Sequence, residues 1–313
     1  MTASNAPLRA SGPGGSIYDL GYQGYSGPRL GRAYAIRALF GHTLRAAYGI
    51  GRGGRAKIIP FGLAALPLLI AAIGVGIAAL AKQAGELGSI VEESSPIRYA
   101  AFSGLISTFV ILFCAAQGPE LLGRDQRYGV LPLYFSRVLT RADYALAKVF
   151  GLIAVVAGVV LAPYVVLFIG RVFVAPDPIT GLRDEIDAVP RFVAQALLVA
   201  GLLGGLASLI SSWTPRRAYA IAAIIAVFII PPIIVAILGS GGVGTNTDIA
   251  RIAVLLSPGD ILVGTNAAIF GSIPDSPTVA ALDMPGWSFV LAAIIGALGS
   301  IGLTVRRYRR IST

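Results

Sequence analysis

The chain has 313 residues, of which 56% are hydrophobic and 13% charged, and its mean hydropathy is +0.78. That composition excludes an ordinary water-soluble domain, in which about a quarter of the residues are charged. The formal net charge is +10, but the basic residues lie at the edges of apolar runs and are not interleaved with aromatics on a soluble face, which argues against a nucleic-acid partner. The single cysteine, Cys114, lies inside an apolar run and leaves no internal disulfide or thiolate metal cluster to expect.

In chain order, residues 1–29 are rich in Gly, Ser, Pro and Tyr. They read as a disordered tail and not as a cleavable signal, so the first span is expected to direct insertion. Over residues 30–57 the pattern becomes amphipathic: Ile36, Leu39, Phe40, Leu44, Ala47 and Tyr48 share one helical face, with His42 and Arg45 away from it. This predicts a helix lying flat at the inner membrane interface, with Arg52, Arg55 and Lys57 next to anionic lipid.

Uncharged stretches long enough to cross a bilayer as helices then occur at 58–81, 99–118, 149–170, 192–214, 218–238 and 287–305. The expected fold is an all-α integral membrane protein with six transmembrane helices in one domain over 58–305, followed by a basic tail over 306–313. With the N-terminus inside, 19 of the 25 Lys and Arg residues fall on the inner side and 6 on the outer. Both termini are therefore expected in the cytoplasm, with the chain in the plasma membrane.

Between the second and third spans, residues 119–148 carry Glu120, Arg124, Asp125, Arg127, Arg137, Arg141, Asp143 and Lys148 among apolar residues. The segment is longer than a hairpin connection needs. Its mixed charge suits docking onto a soluble protein, or else contact with lipid headgroups. Gly129 and Pro132 divide it into two short helical pieces. Pro119 suits the first turn of a new helix just below the second span. Thr140, followed three residues later by Asp143, reads as a capping box that starts the third helix ahead of the bilayer.

Pro231 and Pro232 fall inside the fifth span, where they should kink or interrupt it, as a packing feature or as a gating hinge. The outer segment 239–286 contains an apolar stretch, 249–269, broken at Pro258, Gly259 and Asp260. That predicts a re-entrant piece, covered by protein or lining a cavity, that serves as a gate or as a surface cap. Gly201 and Gly205, and Gly296, Gly299 and Gly302, permit close helix contacts within one chain or between two.

The six spans contain no Asp, Glu or His, which weighs against an ion-driven carrier. Gln195, Ser208, Ser211, Ser212 and Ser300 are expected to bond to neighbouring helices. His42, the one histidine, precedes the first span, and neither G-x-S-x-G nor H-E-x-x-H occurs, so no catalytic residue or metal site is predicted. The phosphate-binding pattern G-x-x-x-x-G-K-[ST] is missing too. Any ATP hydrolysis must then come from another polypeptide.

The order of these parts resembles the permease subunit of a type-2 ABC exporter. The stretch 120–137, ELLGRDQRYGVLPLYFSR, continuing through Thr140 and Asp143 to Lys148, is similar to that family's succession of an acidic residue, Arg and Gly, Ser-Arg and a distal Lys. Val138 and Leu139 depart from it, since a proline is common there. Residues 18–32, His42 to Arg45 and Gly51 to Lys57 further resemble actinobacterial permeases of this class. The resemblance implies a coupling helix that docks on a separate ABC ATPase through Glu120, Arg124, Asp125, Arg127, Tyr128, Arg137 and Arg141. It also implies a second permease subunit, identical or related, with ATP and Mg used by the ATPase and no cofactor held by this chain. The family's substrates include drugs, lipids, polysaccharides and peptides. Two other classes stay open: a non-transporting membrane scaffold or assembly protein, and a secondary carrier.

Overall fold

The computed structural model describes residues 27, 30–83, 98–136, 138–239 and 247–311. The tail expected over 1–29, apart from Gly27, and the expected docking residue Arg137 lie outside the described residues. Within them every regular element is helical, and six helices are long and apolar enough to cross a membrane. The chain is an all-α, multi-pass membrane protein.

Helix α1 (Arg32–Ala47) precedes the first long helix, α2 (Arg55–Gln83). Leu39, Thr43, Ala46 and Ala47 form its buried face, and His42 and Arg45 are exposed, as the sequence periodicity requires. Gly49, at φ +66°, ends α1: its N–H donates to Ala46 O (3.0 Å) and that of Ile50 to Arg45 O (2.9 Å). This is the paired closure that a left-handed residue makes possible. A side chain at Gly49 would also meet Ala56 O at 2.8 Å, so this turn sets α1 against the start of α2.

Helix α3 (Tyr99–Gly118) does not stop at Pro119. It widens into a π turn, Pro119–Gly123, and continues as α4 (Arg124–Arg127), giving one apolar helix from Tyr99 to Arg127. Pro119 therefore does not open a separate helix, contrary to the expectation. A proline lacks the N–H of the α-helical ladder and crowds the carbonyl four residues back, and a π turn is one way a helix absorbs both. Gly129, at φ +63°, closes α4, and α5 (Leu131–Phe135) follows with Pro132 in its first turn. The break at Gly129 and Pro132 is as expected, but only the second piece, α5, is a separate short helix, since the first is the end of the long one.

Helix α6 (Arg141–Val174) opens with the complete capping box: the Asp143 N–H donates to Thr140 Oγ1 and the Thr140 N–H to Asp143 Oδ2. Its 34 residues span about 51 Å, longer than the hydrocarbon core of about 30 Å, so its ends project beyond it. Next come α7 (Pro178–Glu185), α8 (Ala188–Trp213) and α9 (Arg217–Gly239). Half or more of the most apolar windows of α6 and α8 is buried (50% and 56%), against 17–22% for α2, α9 and α13. The first two therefore form the centre and the others the periphery.

Helix α9 runs through Pro231 and Pro232 without a break. A side chain at Gly259 would meet Pro232 Cγ at 2.7 Å, so the proline ring is seated against the next element. That element is a bent pair, α10 (Thr247–Leu256) and α11 (Pro258–Phe270), with 93° between the two helices. Pro258 stands in the first turn of α11, capped by Ser257, where a proline is well tolerated. After α12 (Pro277–Ala281), the last long helix, α13 (Gly286–Arg309), packs on α8.

Three of the spaced glycines make close contacts within the chain. A methyl group at Gly201 would touch Ala297, one at Gly205 would overlap Ser300, and one at Gly296 would overlap Leu202, whereas Gly299 and Gly302 have open space around them. The polar span residues differ from expectation. Gln195 reaches a neighbouring helix, donating to Ser103 Oγ (3.4 Å), but Ser212 and Ser300 bond back to carbonyls of their own helices, Leu209 O and Ala297 O. The hydroxyls of Ser208 and Ser211 are buried without a hydrogen-bond partner.

Candidate functional site

The end of the bundle where α1 meets α2, here termed the basic end, gathers most of the residues that the sequence marks. Glu120 lies in the π turn, and its carboxylate is only 15% exposed. It accepts from Arg52 Nη1 at 2.6 Å, lies 3.4 Å from Arg124 Nη1 and 3.8 Å from Arg217 Nη1. One carboxylate thus ties the α1–α2 turn, the π turn and the start of α9 together. The burial that would penalise a lone carboxylate is offset by three surrounding guanidinium groups.

Asp125, one turn further along, points into the bundle. It accepts from Tyr144 Oη at 2.6 Å and pairs with Lys148 Nζ at 2.9 Å. Lys148 is 3% exposed and also donates to Leu121 O at 3.1 Å. Gln126 donates to Tyr308 Oη (2.9 Å) and Ser212 O (3.2 Å), joining the same segment to α13 and α8. Arg32 adds a two-pronged bond to Asp143, with Nε and Nη2 each at 2.8 Å, and so fastens α1 to the cap of α6.

Of the remaining described residues of the expected docking set, two face outward and Arg141 is partly buried. Arg127 and Tyr128 are exposed, and the Arg127 guanidinium lies 5.2 Å from the Tyr128 ring centre. Arg141 lies 5.7 Å from the Phe135 ring and donates to Arg309 O. Tyr128 (65% exposed), Leu133 (68%) and Val138 (60%) form an apolar fringe on an otherwise charged surface. The segment therefore has two faces: Glu120, Asp125 and Gln126 hold it to the bundle, and Arg127, Tyr128 and Leu133 are presented to the outside.

Between these faces and α1 lies a cavity of ≈ 730 Å³ lined by His42, Arg45, Arg52, Glu120, Arg124 and Lys148 among others. Partial desolvation by the cavity walls, and then the positive charge of Lys148, hold the imidazole of the surface-exposed His42 below its ordinary pKa. Arg52 and Arg124 act in the same direction and Asp125 opposes them.

Pro231, Pro232 and Pro258 lie away from this cluster. Pro232 instead borders a second chamber with Gly259 and Asp260. Asp260 is 4% exposed, so a buried carboxylate enters the apolar assembly through the bent pair. Sequence reasoning noted Asp260 only as a chain break. It also assigned Arg52 to lipid and did not mark Gln126, Tyr144 or Tyr308 at all. A signal for Lys148 was at hand: it lies two turns into α6, where a buried polar group calls for a partner nearby.

Among the described residues no group of three or more His, Cys, Asp or Glu is arranged to hold a metal. Comparison with protein-family models finds no match, and comparison with curated proteins finds none.

Proposed function

We propose that the chain is the transmembrane permease subunit of an ABC exporter, driven by ATP that a separate ATPase subunit hydrolyses. The observation that carries this reading is the two-faced segment at the basic end. A lever that transmits force from a soluble partner needs an outer face for the partner and an inner face that does not slip. Arg127, Tyr128 and Leu133 suit the first requirement. The Glu120–Arg52 and Asp125–Lys148 pairs suit the second.

On this reading the basic end and both termini lie in the cytoplasm, as the Lys and Arg bias favours, and the membrane is the plasma membrane. Helix α1 lies along the inner interface with its exposed face toward headgroups and partner. The bent pair α10–α11 dips into the membrane from outside, its backbone covered by α3, α9 and α13. A second permease subunit, identical or related, completes the translocation path, and ATP and Mg belong to the ATPase.

The test is purification of the tagged protein in mild detergent, with identification of what copurifies. A soluble ABC ATPase recovered in equal amount, and lost with Tyr128→Glu and Leu133→Glu in a protein that stays folded, is the expected result. Recovery of no ATPase with a folded permease would put the scaffold reading ahead. The secondary-carrier reading draws on one observation, the buried Asp260, because a carboxylate at depth is the usual seat of ion coupling. Gradient-driven uptake in vesicles without nucleotide would favour it.

A further inference from the structure

Far from the basic end, a chamber of ≈ 320 Å³ lies between α3, α9 and α11, within the size range of small-ligand sites. Two of its lining side chains have hydrogen-bonding capacity that nothing in the structure uses. Asp260 is 4% exposed, and its Oδ2 is buried without a donor. Asn266, 6% exposed, donates through Nδ2 to Ala100 O at 2.8 Å, which fixes the amide and leaves Oδ1 buried and unpartnered. Both are acceptors, so what the chamber lacks is a donor.

A structural role explains only part of Asp260. Its N–H meets the capping Ser257 Oγ at 3.5 Å, and a position in the first turn of α11 favours the charged carboxylate. Neither contact supplies the missing partner for Oδ2, and a buried charge without one is costly. The rest of the lining is divided. Ser103 and Ser107 add hydroxyls, Asp275 is exposed on the rim, and Phe228, Pro232 and Ile111 are apolar. A divalent metal ion would want six or more oxygens around it. A carboxylate at one end of a half-apolar chamber suits a cation that carries its own hydrocarbon.

We infer that this chamber binds a small organic ammonium ion, its N–H groups on Asp260 Oδ2 and its hydrocarbon against Phe228, Pro232 and Ile111. Asp260 and Asn266 are six residues apart on one helix, about 9 Å along its axis. Asn266 lines the same chamber, so its Oδ1 is open to a second donor on the ligand. The site lies within one chain and is independent of the ATPase proposal.

The experiment is calorimetric titration of the full-length protein in detergent micelles, at constant ionic strength, with n-pentylammonium and with its neutral counterpart pentan-1-ol. The expected result is saturable binding of the ammonium and about ten-fold or weaker binding of the alcohol, the ratio a charge-assisted hydrogen bond gives. Asp260→Asn is expected to bring the ammonium down to the level of the alcohol, while 1,5-diaminopentane binds the unaltered protein more tightly than pentylammonium. Equal binding of ammonium and alcohol, or no saturable binding, would overturn the inference and needs no variant. Full ammonium binding by a folded Asp260→Asn protein would also overturn it. Displacement of pentylammonium by sodium at matched concentration would assign the site to an inorganic cation instead. The assay involves no ATPase and no transport, so its failure leaves the exporter reading untouched.

Discussion

Lys148 Nζ lies 2.9 Å from Asp125 Oδ2, with the lysine 3% exposed on a helix at the centre of the bundle. The pair joins the end of the second long helix to the third, and Tyr144 donates to the same oxygen. Asp125→Leu leaves the ammonium buried without its counter-charge, a loss expected to cost about 3–5 kcal/mol. The double change Asp125→Leu with Lys148→Met removes both charges and should recover most of it, because buried pairs replaced by apolar residues are often neutral. Thermal unfolding of the unaltered protein and the two variants in one detergent checks this; a double variant no more stable than the single one would refute the pairing.

Glu120 and Tyr128 are eight residues apart and separate bracing from contact. Glu120→Gln removes the charge that Arg52, Arg124 and Arg217 share and is expected to cost about 2 kcal/mol of stability. Glu120→Lys should do worse, by adding a fourth cation. Tyr128→Ala removes an exposed ring that makes cation–π contact with Arg124 and Arg127. Its stability should change by less than about 0.5 kcal/mol, while recovery of a bound partner falls. Melting temperatures and partner recovery, measured on the same preparations, distinguish the two roles.

The long helices were legible in the sequence because burial in lipid and burial in protein both demand uncharged runs of about 20 residues. The Thr140–Asp143 cap was legible because it is local. The Pro119 junction was not, since whether a helix stops at a proline or absorbs it in a π turn depends on what packs around it. Here α8 presses on Gly118 through Ser211 and Ala207. The direction of each charge in 119–148 was equally hidden. Glu120 and Asp125 look like Arg127 in composition, and only the partners Arg52 and Lys148, from distant parts of the chain, turn them inward. Asp260 reads in the sequence only as a break in an apolar stretch, because its burial depends on how the bent pair α10–α11 packs.

Gly264 and Gly299 offer a packing prediction with an internal control. A methyl group at Gly264 would lie 2.2 Å from ring atoms of Phe289, a side chain only 3% exposed, whereas one at Gly299 would meet nothing within 4 Å. Gly264→Ala forces the ring or the α11–α13 spacing to give, at about 1–3 kcal/mol. Gly299→Ala should instead stabilise by about 0.5–1 kcal/mol, through helix propensity alone. Opposite shifts in melting temperature are expected, and a neutral Gly264→Ala would show that α11 does not rest on α13 as closely as described.

His42 supplies a pH dependence whose sign follows from its surroundings. Partial desolvation and the charges of Lys148, Arg52 and Arg124 lower its pKa in the folded protein relative to the ordinary value of 6.5. Between those two values the unfolded chain binds more protons than the folded one, so stability rises with pH through that window and falls as pH drops through it. Above the ordinary value both states are neutral and the contribution is constant. His42→Asn removes the titrating group, so the loss of melting temperature between pH 7.5 and pH 5.5 should be smaller in the variant than in the unaltered protein. In Lys148→Met, where the second largest cause is gone, the folded imidazole titrates nearer its ordinary value and the same decline should flatten. A decline equally steep in all three proteins would mean that another group controls it.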